Sequence, residues 1–503
     1  MSSIPLKPSL EDFRRLAGHG NLVPVYADLV ADAETPVAAF QKLDQGGYSF
    51  LLESAETTGE RGRYSFVGSN PRMIFESRGR SIRITEGERV QEFETENDPL
   101  HELQRIMERY QLATAAGDDA FPAPFQGGAV GYLAYDMVRF FEPTVGVATK
   151  DELDVPEALF MVAESVLIFD HRTRRLRILS NVEVRDGNAE AAYAEATNCI
   201  ETILARLAQP AQLPAIPAQR AAPVEDLSWK CNTSRDEYLE MVRAGQEFIR
   251  AGDIFQFVPS QRFETPYAGD PLTLYRTLRY VNPSPYMFLL KFGGRFSLVG
   301  SSPEVHVRAI KGRVEIRPIA GTIRRGSDEE EDDRNAQLLL ADPKERAEHL
   351  MLVDLARNDV GRIVHYGSVE VTDFMSVERY SHVMHIVSNV AGNLRPDKNA
   401  YDVMRATFPA GTVSGSPKVR AMQIINQFEK SKRCVYAGAV GYFGFDGYTD
   451  SCIALRTVVL KDGNAYVQAG AGVVADSTPE GEYRECLNKA MGMMAAIHKA
   501  QTI

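Results

Sequence analysis

Long apolar runs are missing from this sequence: nothing in it reaches the roughly 18 consecutive apolar residues that a membrane-spanning helix requires. The stretch from Met1 to Asp12 lacks a basic segment followed by an apolar one, so no secretory leader is expected there, and a cytoplasmic location is expected for the chain. A basic excess is missing too. Against 56 Lys and Arg stand 68 Asp and Glu, a formal charge of -12, which leaves no electrostatic footprint for nucleic acid or an anionic membrane. Cysteine is scarce: Cys199, Cys231, Cys434, Cys452 and Cys486 are scattered without metal-ligand spacing, as expected of reduced thiols that mostly pack in the interior. No phosphate-cradling P-loop occurs, since Gly411 to Lys418 does not fit the pattern of Gly, four residues, Gly-Lys-Ser/Thr, and nucleotide binding is rejected. A Gly-x-Ser-x-Gly elbow, a Cys-His-Glu glutaminase triad, fixed-period repeats and coiled-coil heptads are likewise absent.

What is present is a chain of 503 residues, 44% hydrophobic, with enough apolar material for a sizeable core. Tyr48 to Leu52 and Arg63 to Gly68 read as strands between Gly, Pro and Asn turns. The apolar run Ala158 to Phe169 and the Arg-alternating Arg172 to Ile178 read as a hairpin, followed by a helix over Ala189 to Leu207. Pro210, Pro214, Pro217 and Pro223 then mark residues 208–227 as a surface linker, because each removes an amide donor and disfavours helix before it. Ser234, followed three residues later by Glu237, signals a capped helix start, with Tyr238, Val242 and Ile249 as its apolar stripe and Gly252 as its stop. A strand is expected over Ile254 to Phe263, with helices over Lys344 to Asp359 and Glu482 to Ala500. The acidic run Asp328 to Asp333 reads as a solvated loop or helix start.

Two Glu pairs carry a chemical signal. Glu345/Glu348 and Glu482/Glu485 are each spaced to share one helix face. Spacing alone fits exposed helix charges. Four carboxylates turned to one site would repel, and Mg²⁺, which prefers oxygen ligands, would remove that repulsion. The segments containing these pairs, Lys344 to His349 and Pro479 to Glu485, occur with Gly300-Ser301-Ser302-Pro303-Glu304, Arg317-Pro318-Ile319-Ala320-Gly321-Thr322 and Gly411 to Lys418. As a set they resemble the chorismate-utilising enzymes, and within them the large-subunit branch that makes anthranilate. The resemblance covers almost the whole chain and is densest from about Arg235 to Lys489.

The resemblance implies an α+β fold of large antiparallel sheets with flanking helices, divided into a regulatory part over 14–207, the linker over 208–227 and a catalytic part over 228–499. It implies conversion of chorismate and ammonia to anthranilate and pyruvate, with ammonia from a glutamine amidotransferase subunit, hence a hetero-oligomer. Glu348 and Glu485 are implied as inner Mg²⁺ ligands, supported by Glu345 and Glu482. Glu304 becomes the general acid for the leaving hydroxyl, His385 a catalytic group in the aromatising step, as acid, base or orienting group, and Thr322 a third catalytic residue that offers its hydroxyl to the ring. Arg456, Tyr436, Thr412, Gly470 and Gly472 are implied to bind the pyruvyl carboxylate, Gly321 and Thr322 the ring, and Lys489 is a second cation beside the anionic substrate. Ala320 stands where the enzymes making 4-amino-4-deoxychorismate carry a nucleophilic Lys, and Gln256 where water-using relatives carry a Lys base, so direct attack by ammonia is implied. Leu51 to Ser54, with Glu53 and Ser54, and Asn282 to Met287, with Asn282, Pro285, Tyr286 and Met287, match segments that hold tryptophan as an inhibitor in regulated members. The para-aminobenzoate branch is the nearest alternative. A non-catalytic scaffold that has kept the fold is another.

Overall fold

The computed structural model describes residues 4–55, 61–113, 123–146, 148, 150–218, 229–380 and 383–503. Two antiparallel sheets of eleven and twelve strands organise these residues. The eleven-stranded sheet runs in space from Leu22–Val30 through Arg175–Glu183, Ser165–Asp170, Tyr64–Ser69, Tyr48–Glu53, Tyr286–Phe292, Phe296–Ser302, Thr457–Lys461, Asn464–Gly470 and Ser260–Pro266 to Lys230–Cys231. The twelve-stranded sheet runs from Ile319–Arg324 through Val383–Asn393, which also pairs with Glu370–Arg379, then Arg313–Ile316, Val305–Ile310, Thr449–Ile453 and Ala439–Gly444 to Gly128–Leu133, Ala158–Ala163 and the hairpins of residues 73–94. Both sheets therefore draw strands from either side of residues 208–227. Of that Pro-rich segment, residues 208–218 contain neither helix nor strand, and 219–227 lie outside the described residues.

Alternation along the strands sets the layering. Phe288, Leu290 and Phe292 point between the sheets, where they meet Tyr132, Met161 and Tyr442 of the other sheet, while Leu289 points outward under helices with Val299 and Leu274. Phe75, Phe160 and Phe443 cover the outer face of the second sheet beneath Leu103, Tyr401 and Met404. The result is a sandwich clad by helices on both sides, which is why strands such as Ala158–Ala163 are apolar on both faces. Three of the five free cysteines, Cys434, Cys452 and Cys486, are buried in it.

Local expectations are met where a cap or period enforces them. Ser234 and Glu237 form a reciprocal capping box on the helix Arg235–Arg250, Asp328 caps the helix Glu329–Ala341, and the helices Ala189–Leu207, Pro343–Gly361 and Pro479–Gln501 lie where periodicity placed them. Two readings are corrected. The run Ala158 to Phe169 is two strands broken at Glu164: the first joins the twelve-stranded sheet, and only Ser165–Asp170 forms the hairpin with Arg175–Glu183. The segment Ile254 to Phe263 is not one strand, because Gln256–Phe257 leaves the sheet to pair with Gly415–Ser416 before Ser260–Pro266 resumes it.

Candidate active site

The site forms where the chain crosses between sheets. Strand Phe296–Ser302 belongs to one sheet and Val305–Ile310 to the other, and Glu304 lies in the two-residue link between them. A second crossing, Ala454 to Arg456, joins Thr449–Ile453 to Thr457–Lys461. The two links run side by side: Ser301 N donates to Arg456 O at 3.1 Å and Ile453 N to Glu304 O at 3.1 Å. Paired crossings thus run the backbones that carry an acid, Glu304, and a cation, Arg456, next to each other.

Glu304 is buried at 6% exposure. Burial pushes its carboxyl up to about 8, only partly opposed by the hydrogen bond that Thr412 Oγ1 donates to its Oε1 at 2.7 Å and by the Lys489 ammonium. It therefore holds a proton at neutral pH, as a general acid must. Arg456 is partly buried, its backbone in the left-handed region at φ 46°, and burial pulls its pKa down. Among the described residues no carboxylate forms an ion pair with it; its Nη1 donates to the side-chain oxygen of Asn282 at 3.3 Å. A recessed guanidinium without a counter-ion is a ready site for a carboxylate ligand.

The strands Ile319–Arg324 and Val383–Asn393 pair along one side. His385 Nδ1 lies 2.8 Å from Gly321 O and 3.1 Å from Thr322 Oγ1. A carbonyl only accepts, so the proton sits on Nδ1 and the Nε2 lone pair is left available. Burial, with Arg456 acting in the same direction, keeps this imidazole neutral. Ala320 is buried in the same strand, offering only a methyl group.

Opposite stand the helices Pro343–Gly361 and Pro479–Gln501. Their carboxylates do interact. Glu345 is pushed up by burial, then by Glu348; Glu348 is raised by burial and by Glu485 of the other helix, against Lys489; Glu482 is raised by burial and by Glu485, against a bond from Ser477. Glu482 Oε2 is buried without a hydrogen-bond partner, and Glu485 Oε1 lies 2.7 Å from Lys489 Nζ. Among the described residues no three His, Cys, Asp or Glu side chains converge closely enough to hold a metal ion as they stand. An all-oxygen donor set under mutual repulsion, with one orphaned oxygen, nevertheless fits a hard divalent cation.

Gln256 is buried, lowers the Glu348 pKa slightly from its place beside it and leaves its own Oε1 unpartnered. It also abuts Gly472, where a methyl group would sit 2.6 Å from its Nε2. At Gly470 a methyl group would lie 2.5 Å from Pro259 O and 3.0 Å from the buried Tyr436 hydroxyl, so only glycine lets the backbone pass. Of the residues expected to bind substrate, Gln256 thus lies against Gly472 and Tyr436 against Gly470, while Gly321 and Thr322 meet His385 and Thr412 meets Glu304.

The expected effector residues divide. Glu53, Ser54, Pro285, Tyr286 and Met287 line a cleft between the two sheets with an empty volume of about 650 Å³. Tyr286 there donates to Asp450 Oδ1 at 2.8 Å, and Tyr275 donates to Glu53 Oε2 at 2.6 Å. Asn282 does not line it and faces Arg456 instead. Sequence reading passed over Arg433, which sits in the surface-like Lys430-Ser431-Lys432-Arg433 yet is 2% exposed. Its one signal is the apolar run that follows directly.

The chain belongs to the chorismate-binding enzyme family, whose profile, described as chorismate binding enzyme, matches residues 48–495. Within that family it runs end to end with component 1 of anthranilate synthase. It is 44% identical to that protein from Acetivibrio thermocellus, over 99% of each chain, and 44% identical to the one from Aquifex aeolicus, again over 99% of each. The crystal structure of anthranilate synthase component I from Streptococcus pneumoniae TIGR4 superposes with a TM-score of 0.76 at 36% identity, covering 92% of this chain and 98% of that one. The menaquinone-specific isochorismate synthase from Escherichia coli, at 18% identity and TM-score 0.68 over 97% of this chain and 98% of that one, shares the fold.

Proposed function

We propose that this chain converts chorismate and ammonia to anthranilate and pyruvate, in the cytoplasm, with ammonia delivered by a glutaminase subunit. The observation that carries the reading is that two neighbouring crossings between the sheets carry a carboxyl held protonated, Glu304, and a recessed cation lacking a counter-ion, Arg456. The pyruvyl carboxylate binds Arg456, with Tyr436, Thr412 and the amides around Gly470 and Gly472 as further donors. The ring lies over Ala320, Gly321 and Thr322. Ammonia adds to the ring carbon beside the ring carboxylate while the 4-hydroxyl departs as water with the proton from Glu304. Ala320 and Gln256 contribute by offering neither nucleophile nor base. His385 Nε2 then accepts the ring proton as pyruvate leaves and the ring becomes aromatic. Glu348 and Glu485, backed by Glu345 and Glu482, would hold Mg²⁺, and the orphaned Glu482 oxygen supports that assignment. When bound, the ion offsets the negative charge of the ring carboxylate. The sequence lacks a glutaminase triad and its relatives are designated component 1, which supports a second subunit.

The test is the product formed by the purified chain from chorismate, Mg²⁺ and excess ammonium at mildly alkaline pH. Anthranilate, identified by its fluorescence and mass, is expected. An amine para to the carboxylate would transfer the reading to the para-aminobenzoate branch, and no product at all to a scaffold.

The residues over 14–207 serve the inter-sheet cleft as its regulatory side, and tryptophan is the effector we assign to it. The bond from Arg456 to Asn282, three residues before Pro285, supports a route from cleft to substrate carboxylate. Ser54→Phe, which fills the cleft, is expected to raise the tryptophan concentration for half-inhibition by about tenfold or more while kcat stays within twofold. Unaltered inhibition in a titration of the variant removes Ser54 from the effector site.

A further inference from the structure

Arg433 precedes the strand Ala439–Gly444 and is one of the largest fully buried side chains in the molecule. Every nitrogen of its guanidinium donates: Nε to Glu429 Oε2 at 2.8 Å, Nη2 to Glu429 Oε1 at 2.6 Å and to Val258 O at 2.5 Å, and Nη1 to Val413 O at 2.8 Å. Its plane also lies over the rings of Tyr135, at 4.7 Å, and Tyr436, at 5.5 Å. Glu429 is fully used in turn, because its Oε1 accepts from Ser260 N at 2.8 Å and Ser260 Oγ at 2.9 Å.

Each of these partners is one step from a group placed at the substrate. Val413 follows Thr412, the donor to Glu304. Val258 lies two residues after Gln256. Ser260 faces Gly470 across the strand register. Tyr436 is itself assigned to the pyruvyl carboxylate. We infer that the Arg433–Glu429 pair is the positioning unit that holds these four segments in mutual register, Arg433 being a positioning residue for the reaction rather than a catalytic one. A buried ion pair is weak as a source of net stability, but it fixes geometry when every donor is used. Arginine is required because one planar fork must satisfy a carboxylate and two carbonyls that diverge in direction. A lysine ammonium keeps the charge but not that geometry.

The inference rests on the role assigned to Glu304 above, and the experiment separates the two. The groups facing Glu304 are Thr412, Lys489 of the last helix, and His306 and Asp359, which line a small cavity behind it. Because the Thr412 bond lowers the Glu304 pKa, displacing the Thr412 loop moves the alkaline limb of kcat against pH upward. Arg433→Lys, assayed with chorismate, Mg²⁺ and ammonium on folded protein, is expected to lose tenfold or more in kcat, with KM for chorismate within about threefold. Its alkaline limb should move up as it does in Thr412→Val, and the double variant should move no further. A lower Tm with kcat and pH profile unchanged overturns the positioning role, as do shifts that add in the double variant. Should Arg433→Lys not fold, Glu429→Gln, which keeps shape and removes the charge that aligns the fork, takes the same test. A wild-type profile whose alkaline limb survives in the residual activity of Glu304→Gln overturns the acid assignment and the inference together. A limb that depends on Glu304 but is unmoved by Arg433→Lys overturns the inference alone.

Discussion

Glu304→Gln is expected to lower anthranilate formation from ammonia by about 10³-fold or more and, in the same protein, to remove a pH-dependent loss of stability. The amide fits the same space and can still accept the Thr412 hydroxyl, so the change is confined to the proton. In the folded state the Glu304 carboxyl is pushed by burial from 4.5 to about 8. Between those values the native state binds more protons than the unfolded state, so stability is fully present below 4.5 and is lost as pH rises through 8. A displacement of that size corresponds to about 3–5 kcal/mol across the window. The acid is therefore held at the expense of stability, as expected at a functional site. Thermal unfolding of wild type and variant from pH 5 to 9 should show curves that diverge upward in pH, the variant being the more stable at pH 9. Parallel curves would mean that Glu304 is ionised well below neutrality. Turnover by the variant within tenfold of wild type would remove it as the acid.

Helices and their caps were legible because the information is local. Ser234 and Glu237 lie three residues apart, and the apolar stripe that follows needs no distant partner. The sheets were not legible to the same degree, because strand Tyr286–Phe292 pairs with Tyr48–Glu53 from more than 230 residues earlier, and nothing in either segment names the other. The break at Glu164 shows the same limit: an apolar run buried on both faces carries no period-2 signal of where it changes sheet. Within the site, the paired Glu residues and Ala320 stand out in the sequence because helix geometry or a resemblance gives them meaning. Arg456 as a cation without a counter-ion, and Arg433 as a buried one, do not. Whether a cation is paired depends on carboxylates brought to it by topology. Lys430-Ser431-Lys432-Arg433 has the composition of a solvated loop, and only the fold turns its last residue inward.

Glu348→Gln is expected to have the other large effect, and its sign on stability should depend on Mg²⁺. Burial and the Glu485 carboxylate both oppose ionisation of Glu348. In chelator-treated protein at neutral pH, removing this charge should relieve repulsion across the two helices, so the variant should unfold at a higher temperature than wild type. Adding Mg²⁺ to wild type should reverse the order, since a ligand present at 100 times its Kd adds about 2.7 kcal/mol to folding. The variant should gain much less, and its activity with saturating ammonium should fall by about 10²-fold or more at Mg²⁺ levels that saturate wild type. Catalysis and stability are thus predicted to move in opposite directions in the chelated protein and together in the loaded one, a crossing that a merely structural Glu348 would not produce. Unfolding curves of wild type that ignore Mg²⁺, or equal Mg²⁺ gains in both proteins, would take Glu348 out of the ligand set and leave the carboxylate quartet to be explained by the substrate alone.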